Sequence, residues 1–109
     1  MEEIQLEDIH RLCRQNAISW TSHAGGRLIK RQISPDEVLH TLQTGSIIEQ
    51  YPTDYPFPSC LIVATVNSRP LHVVCSISNS QLYIITAYQP DPDAWDSTFT
   101  IRRKDDTPS

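Results

Sequence analysis

Glycine is scarce in this chain of 109 residues: Gly25, Gly26 and Gly45 are the only three. A glycine-rich loop that cradles phosphates through its backbone is thereby excluded. Cysteine is scarce as well. Cys13, Cys60 and Cys75 form an odd set without CxxC spacing, and no HxxxH pair accompanies them. The short-spaced ligand pairs typical of zinc sites are therefore missing. An odd count of unpaired thiols fits a reduced, cytoplasmic setting. No apolar run approaches the ~18 residues that suggest a membrane span. The opening MEEIQLEDIH has neither the basic nor the apolar region of a secretory signal. Lysine occurs only at Lys30 and Lys104, and the net charge of −4 falls far short of a strongly basic domain. There is no internal repeat or low-complexity stretch. The chain is long enough to bury a core in one domain without staples. That domain is expected over 1–101, with 102–109 a frayed tail.

What the chain does have is a block of strand-forming residues from Ser59 to Tyr88. SCLIVATV, LHVVCSIS and QLYIITAY are each rich in Val, Ile, Thr and Tyr, and short polar steps separate them. Connections so short allow only antiparallel hairpins. With Asn79 and Ser80 as a two-residue loop, Ile77 faces Leu82, Cys75 faces Ile84, Val73 faces Thr86 and Leu71 faces Tyr88. With Ser68 and Arg69 at the tip of the first hairpin, Val66 faces Leu71, and Cys60 and Cys75 become diagonal neighbours. Alternation then gives one apolar face: Cys60, Ile62, Ala64, Val66, Leu71, Val73, Cys75, Ile77, Leu82 and Ile84. The opposite face, with Leu61, Thr65, His72, Ser76, Tyr83, Ile85 and Ala87, is mixed and is the better binding surface. SIIEQYP over 46–52 reads as a fourth strand.

Three helices are expected before the sheet. The first runs over 3–15, with Leu6, Ile9, Leu12 and Cys13 on one stripe, and Glu7 can pair with Arg11. Thr21 or Ser22 can cap the second. Gly25 and Gly26 either mark close packing against the sheet or break that helix. The third is signalled by Ser34 at the N-cap, Pro35 at N1 and Glu37 at N3, a capping box. It is expected to run to Thr44 and to end at a left-handed Gly45. Helices followed by an antiparallel sheet of about four strands make an α+β fold, with the helices on one face. Beyond Tyr88, a loop leads to Trp95, which is expected to fold back onto the domain, and Thr98 to Ile101 can add a short strand.

Charge is unevenly spread. No acid occurs between Asp8 and Asp36, where Arg11, Arg14, Arg27, Lys30 and Arg31 sum to +5. His23, Arg27 and Arg31 fall in one row of the second helix. Together with His72 and Tyr88 from the strands they form the candidate catalytic set. Arginine binds phosphate as a fork and offsets added negative charge. Histidine moves a proton near neutral pH. A ribonuclease that uses the substrate 2′-hydroxyl needs little more, and neither metal nor cofactor is called for. The plainer reading stands beside it: the helical row is a solvated face, His72 a hydrogen-bonded sheet histidine, Tyr88 an edge residue and Arg69 a solvated hairpin residue.

The string WTSHA over 20–24 is followed by Arg27, Arg31 and ISPDEV. GSIIEQY, DYPFPSCL, RPLHVV and ITAYQP then occur in order, ending at Trp95. From about residue 20 to 95 the chain resembles a family of small bacterial and archaeal proteins known as domain of unknown function four-two-five-eight. That family is grouped with the RelE, ParE and BrnT-like toxins, compact α+β proteins of which many cleave mRNA without metal. The resemblance implies a cytoplasmic, toxin-like endoribonuclease acting on RNA and a cognate antitoxin protein as partner. It makes His23, Arg27, Arg31, His72 and Tyr88 the positions to test. The helix over 3–15 lies outside it. The alternative is a non-catalytic module that docks a partner through the mixed sheet face or the 46–52 edge.

Overall fold

Hydroxyl side chains start two of the three helices. In the computed structural model, which describes residues 3–103, the elements follow in the order α1 (Leu6–Arg14), β1 (Ile18–Trp20), α2 (Ser22–Arg31), α3 (Pro35–Thr44), β2 (Ser46–Tyr51), β3 (Ser59–Val66), β4 (Arg69–Ser78) and β5 (Gln81–Tyr88). The Thr21 hydroxyl accepts from the Ala24 N–H at 3.1 Å and fixes the start of α2. At α3 the Ser34 hydroxyl accepts from Glu37 N–H, and the Glu37 carboxylate accepts from Ser34 N–H at 2.9 Å. This is the expected capping box. α1 is shorter than expected, and Arg11 pairs with Asp8 at 2.6 Å rather than with Glu7. α2 passes through Gly25 and Gly26 unbroken, and a Cβ at either would meet nothing within 4 Å. Neither close packing nor a helix break accounts for those glycines.

Gly45 ends α3 for a different reason from the one expected. Its φ is −82°, in the extended region and not the left-handed one. A Cβ there would lie 2.5 Å from both the Thr41 and Val63 carbonyl oxygens. The residue is glycine because α3 and β3 leave no room for a side chain.

The sheet has five strands in the order β1-β5-β4-β3-β2. The fourfold antiparallel expectation is corrected by β1, which lies parallel to β5 with Ile18 opposite Leu82 and Trp20 opposite Ile84. Three residues are too few for alternation to be visible in sequence. The long path from β1 to β5, through two helices and three strands, lifts the ban on parallel pairing that short connections impose. Both hairpin loops are Asn-Ser. Asn67, Ser68, Asn79 and Ser80 all have positive φ, from 51° to 66°, as a two-residue type I′ loop requires. The β3–β4 tip is thus Asn67-Ser68 and not Ser68-Arg69, so Cys60 sits directly opposite Cys75 with Sγ atoms 3.8 Å apart. A slip of two residues leaves each side chain on its expected face.

The β4–β5 register holds from Ser78 to Cys75 and then shifts at a bulge. Ile85 is the extra residue, so Val74 faces Thr86, Val73 faces Ala87 and His72 faces Tyr88. Ala87 consequently joins the apolar face instead of the mixed one. All ten residues assigned to that apolar face lie in the core or pack against it, with Ile9, Leu12, Leu28, Val38 and Leu42 from the helices and Ile33 from the link between α2 and α3. α2 covers β5, α3 covers β3 and β4, and α1 covers α3 and β5.

The mixed face is less open than expected. Leu61 and His72 are fully buried and Ser76 nearly so. The segment after β5 returns across this face and brings Trp95 down onto it, 3% exposed. Thr98 to Ile101 form a turn and bends rather than a strand, and one bridge ties Trp95 to Arg102. Arg102 and Arg103, expected to be frayed, are engaged: Arg102 pairs with Glu49 at 2.9 Å and Arg103 donates to the Pro92 carbonyl. The remainder of the expected frayed tail, 104–109, lies outside the described residues. No helix among the described residues is long and apolar enough to cross a membrane.

Candidate functional site

The bulge at Ile85 sets the site. It turns Tyr88 onto the same face as His72 and directly across from it. The His72 Nε2 lies 2.8 Å from the Phe99 carbonyl oxygen. A carbonyl only accepts, so Nε2 carries the proton, and Nδ1 is left to accept from the Tyr88 hydroxyl at 3.4 Å. Trp95 closes over the imidazole edge-on, ring centroids 4.5 Å apart. Burial lowers the His72 pKa below its usual value, against the opposing effect of the Phe99 carbonyl. The ring is therefore neutral at pH 7. Burial likewise raises Tyr88, so it is a phenol and not a phenolate.

A second group surrounds this pair. Glu49 and Tyr51 point to the mixed face from β2, where a bulge at Ile48 sets their alternation. The Arg102 guanidinium forks onto the Glu49 carboxylate at 2.9 and 3.0 Å. It also lies 4.7 Å from the Trp95 ring centroid, as a cation over an aromatic face. The Tyr51 hydroxyl donates to Glu49. Burial pushes Glu49 up, but the hydrogen bonds from Arg102 and Tyr51 outweigh it and leave the carboxyl below its ordinary value. Burial, with Glu49 beside it, pushes the Tyr51 phenol up to about 12. Glu49, Tyr51, Arg102 and Trp95 thus clamp the C-terminal segment over His72. The i,i+2 spacing of Glu49 and Tyr51 on one strand was the available signal; Arg102 gave none, since it lies in a short charged stretch without periodicity.

The α2 residues divide. Arg31 reaches over the outer edge of β5, which β1 pairs only as far as Ile84. Its Nη1 donates to the Ala87 carbonyl at 2.8 Å and to the Thr86 hydroxyl at 3.1 Å. The structure therefore brings Arg31, Tyr88 and His72 to one end of β5. His23 and Arg27 are exposed, and neither makes a side-chain hydrogen bond to another described residue. At 1.5 Å per residue, Arg27 lies about 6 Å and His23 about 12 Å back along the helix from Arg31.

Other groups are quiet. Cys60 and Cys75 are fully buried, and the neighbouring Cys60 thiol and burial both raise Cys75 well above its usual value, so Cys75 is a poor nucleophile. Among the described residues no cluster of three His, Cys, Asp or Glu side chains is placed to hold a metal. Arg69, expected to be solvated, donates to Glu37 at 2.9 Å and to the Gln32 carbonyl, tying the β3–β4 hairpin to α3.

No curated protein and no solved structure matches the chain. A family model does match, over residues 20–89. The matched stretch contains Arg31, His72 and Tyr88 but neither α1 nor the clamp residues Trp95 and Arg102. On this match, which covers more than half of its length, the chain belongs to the family described as Domain of unknown function (DUF4258).

Proposed function

We propose that this chain is a toxin-like protein of the RelE, ParE and BrnT type, an endoribonuclease that cleaves RNA phosphodiesters without a metal, and that a cognate antitoxin protein restrains it. One observation supports this reading above the others: Arg31, the Tyr88 hydroxyl and a neutral His72 imidazole converge at one end of β5. Arg31 and Arg27, about one helical turn apart, hold the scissile phosphate and offset the charge that grows on it. Tyr88 is the group that meets substrate. The 2′-hydroxyl proton passes to the Tyr88 oxygen while the phenolic proton passes to His72 Nδ1. The 2′-oxygen bonds to phosphorus, the bond to the 5′-oxygen breaks, and that oxygen takes a proton from a water, which is left as hydroxide and recovers the proton from His72 through Tyr88, restoring the neutral imidazole. His72 touches no substrate and is a positioning residue. His23 lies too far back for the same phosphodiester and faces the flanking backbone.

The test is cleavage of a single-stranded RNA in EDTA, with products ending in a cyclic phosphate. Tyr88→Phe should slow cleavage at least a hundredfold, and Arg31→Ala should do the same, with partial rescue in Arg31→Lys. Wild-type protein that leaves RNA intact, or a folded Tyr88→Phe of undiminished activity, removes this reading. The burial of His72 beneath Trp95 favours the second reading, a non-catalytic module that docks a partner protein. It predicts a stable complex with a neighbouring gene product and no cleavage.

A further inference from the structure

Residues 54–57, in the loop between β2 and β3, line an open-sided cavity of about 400 Å³ together with the mixed face of the sheet. That size lies within the range of small-molecule sites. Tyr55 and Phe57 line it from the loop, and Tyr83 and Ile85 line it from β5. These aromatic side chains are not packed away: Tyr55 is 95% exposed and Phe57 42%. Ser76 lines the floor. Neither its hydroxyl nor that of Tyr83 makes a hydrogen bond to another described residue, so both are free to meet a guest. Asp54 supplies a carboxylate. One of its oxygens accepts from the Ser59 hydroxyl, and the other has no partner among the described residues.

We propose that this cavity is a base subsite for single-stranded RNA, selective for bases that carry an exocyclic amino group. Aromatic faces beside an opening are the platforms on which unstacked bases lie. A carboxylate only accepts hydrogen bonds and repels phosphate, so the base and not the backbone enters. Adenine, guanine and cytosine each offer an exocyclic amino donor to Asp54, whereas uracil offers only its ring N3–H, flanked by two carbonyl oxygens that the carboxylate repels. The Ser76 and Tyr83 hydroxyls, able to donate or accept, meet the remaining ring atoms. From Ile85 the strand continues three residues to Tyr88, about 10 Å. A base in the cavity and a phosphate at Arg31 therefore sit on one strand of RNA. The choice of RNA rests on the proposed function; the base preference rests on the cavity alone.

Nucleosides lack phosphate and so test the cavity apart from the cleavage site. Adenosine, cytidine and uridine are titrated into the ¹⁵N-labelled full chain. Saturable shifts at the Ser76, Tyr83 and Ile85 amides are expected for adenosine and cytidine, with uridine at least tenfold weaker, on the scale of one lost charged hydrogen bond. Tyr55→Ala, at a side chain too exposed to matter for folding, should weaken adenosine about tenfold. Asp54→Asn should narrow the gap between adenosine and uridine, and Arg31→Ala should leave nucleoside binding as it was. No saturable shift, or uridine bound as well as adenosine, overturns the subsite even if the protein cuts RNA. Selective nucleoside binding by a protein that cuts no RNA upholds the subsite and removes the ribonuclease reading.

Discussion

Replacing the three glycines by alanine should change stability with opposite signs, and the structure gives the size of each effect. Gly26 lies inside α2, exposed, with a negative φ and nothing within 4 Å of the Cβ position. Alanine there gains helix propensity and restricts the unfolded chain, with no steric cost, for about 0.8–1 kcal/mol. Gly25 has the same free space, and neighbours at i,i+1 do not face each other, so the double variant should gain nearly 2 kcal/mol. At Gly45 the added carbon would meet two backbone carbonyl oxygens at 2.5 Å and the Ile62 Cγ2 at 2.7 Å. Neither carbonyl can swing aside without moving α3 from β3, so Gly45→Ala should cost roughly 1–3 kcal/mol. Urea unfolding at constant slope measures all three. In a thermal scan each kcal/mol should move the midpoint by about 4 °C in a chain of this size. A Gly26→Ala variant less stable than wild type, or a Gly45→Ala variant as stable, would refute the packing argument. A stabilised Gly26→Ala that loses RNA cleavage would instead show substrate approaching the α2 backbone beside Arg27.

The clamp over His72 should be dominated by its apolar member. Trp95→Ala, at a 3% exposed ring, should cost about 3–5 kcal/mol in urea unfolding, whereas Arg102→Ala, whose side chain is 59% exposed, should cost under about 1 kcal/mol; equal costs would mean the charge pair holds the segment down. Acid should weaken the α3 cap. The Ser34 N–H, with Arg69 and Asn67, lowers the Glu37 pKa to about 2. A lowered carboxylate stabilises above its unfolded pKa, so its contribution is complete above pH about 4.5 and is lost as pH falls toward 2. Glu37→Gln should flatten the stability profile over that window, as thermal midpoints would show. A profile unchanged by the substitution would place the acid sensitivity elsewhere. Below pH about 6.5 the lowered His72 pKa also disfavours the folded chain, because the unfolded imidazole takes up a proton more readily.

The parts of the fold that were legible in the sequence share one property: the signal is local. Ser34, Pro35 and Glu37 announce α3 because capping is settled within four residues. The apolar face of the meander was legible because alternation survives a register slip of two, as the β3–β4 hairpin shows. β1 was not legible, since three residues carry no period and their partner is far along the chain. The bulge at Ile85 was hidden too: ITAY reads as plain alternation, and only packing of Ala87 against the core reveals the extra residue. That one shift decides where Tyr88 points. Of the five residues proposed for the site, Arg31, His72 and Tyr88 are gathered at one end of β5, and His23 and Arg27 trail away from it along α2. Trp95 was expected to fold back, but its companion Arg102 was assigned to the tail, because pairing with Glu49 depends on a chain reversal that no local rule encodes.

The stretch that matches the family, 20–89, is not a self-sufficient body in this protein. Ile9 and Leu12, both essentially inaccessible to solvent, reach the core from upstream of it, and Trp95 reaches the other side of the sheet from downstream. Cut out alone, the shared stretch would carry a greasy wound on each surface. Any relative reduced to that stretch must dress both with foreign material, whether a different flanking segment or another molecule. The two ends of this chain are thus its own bandages.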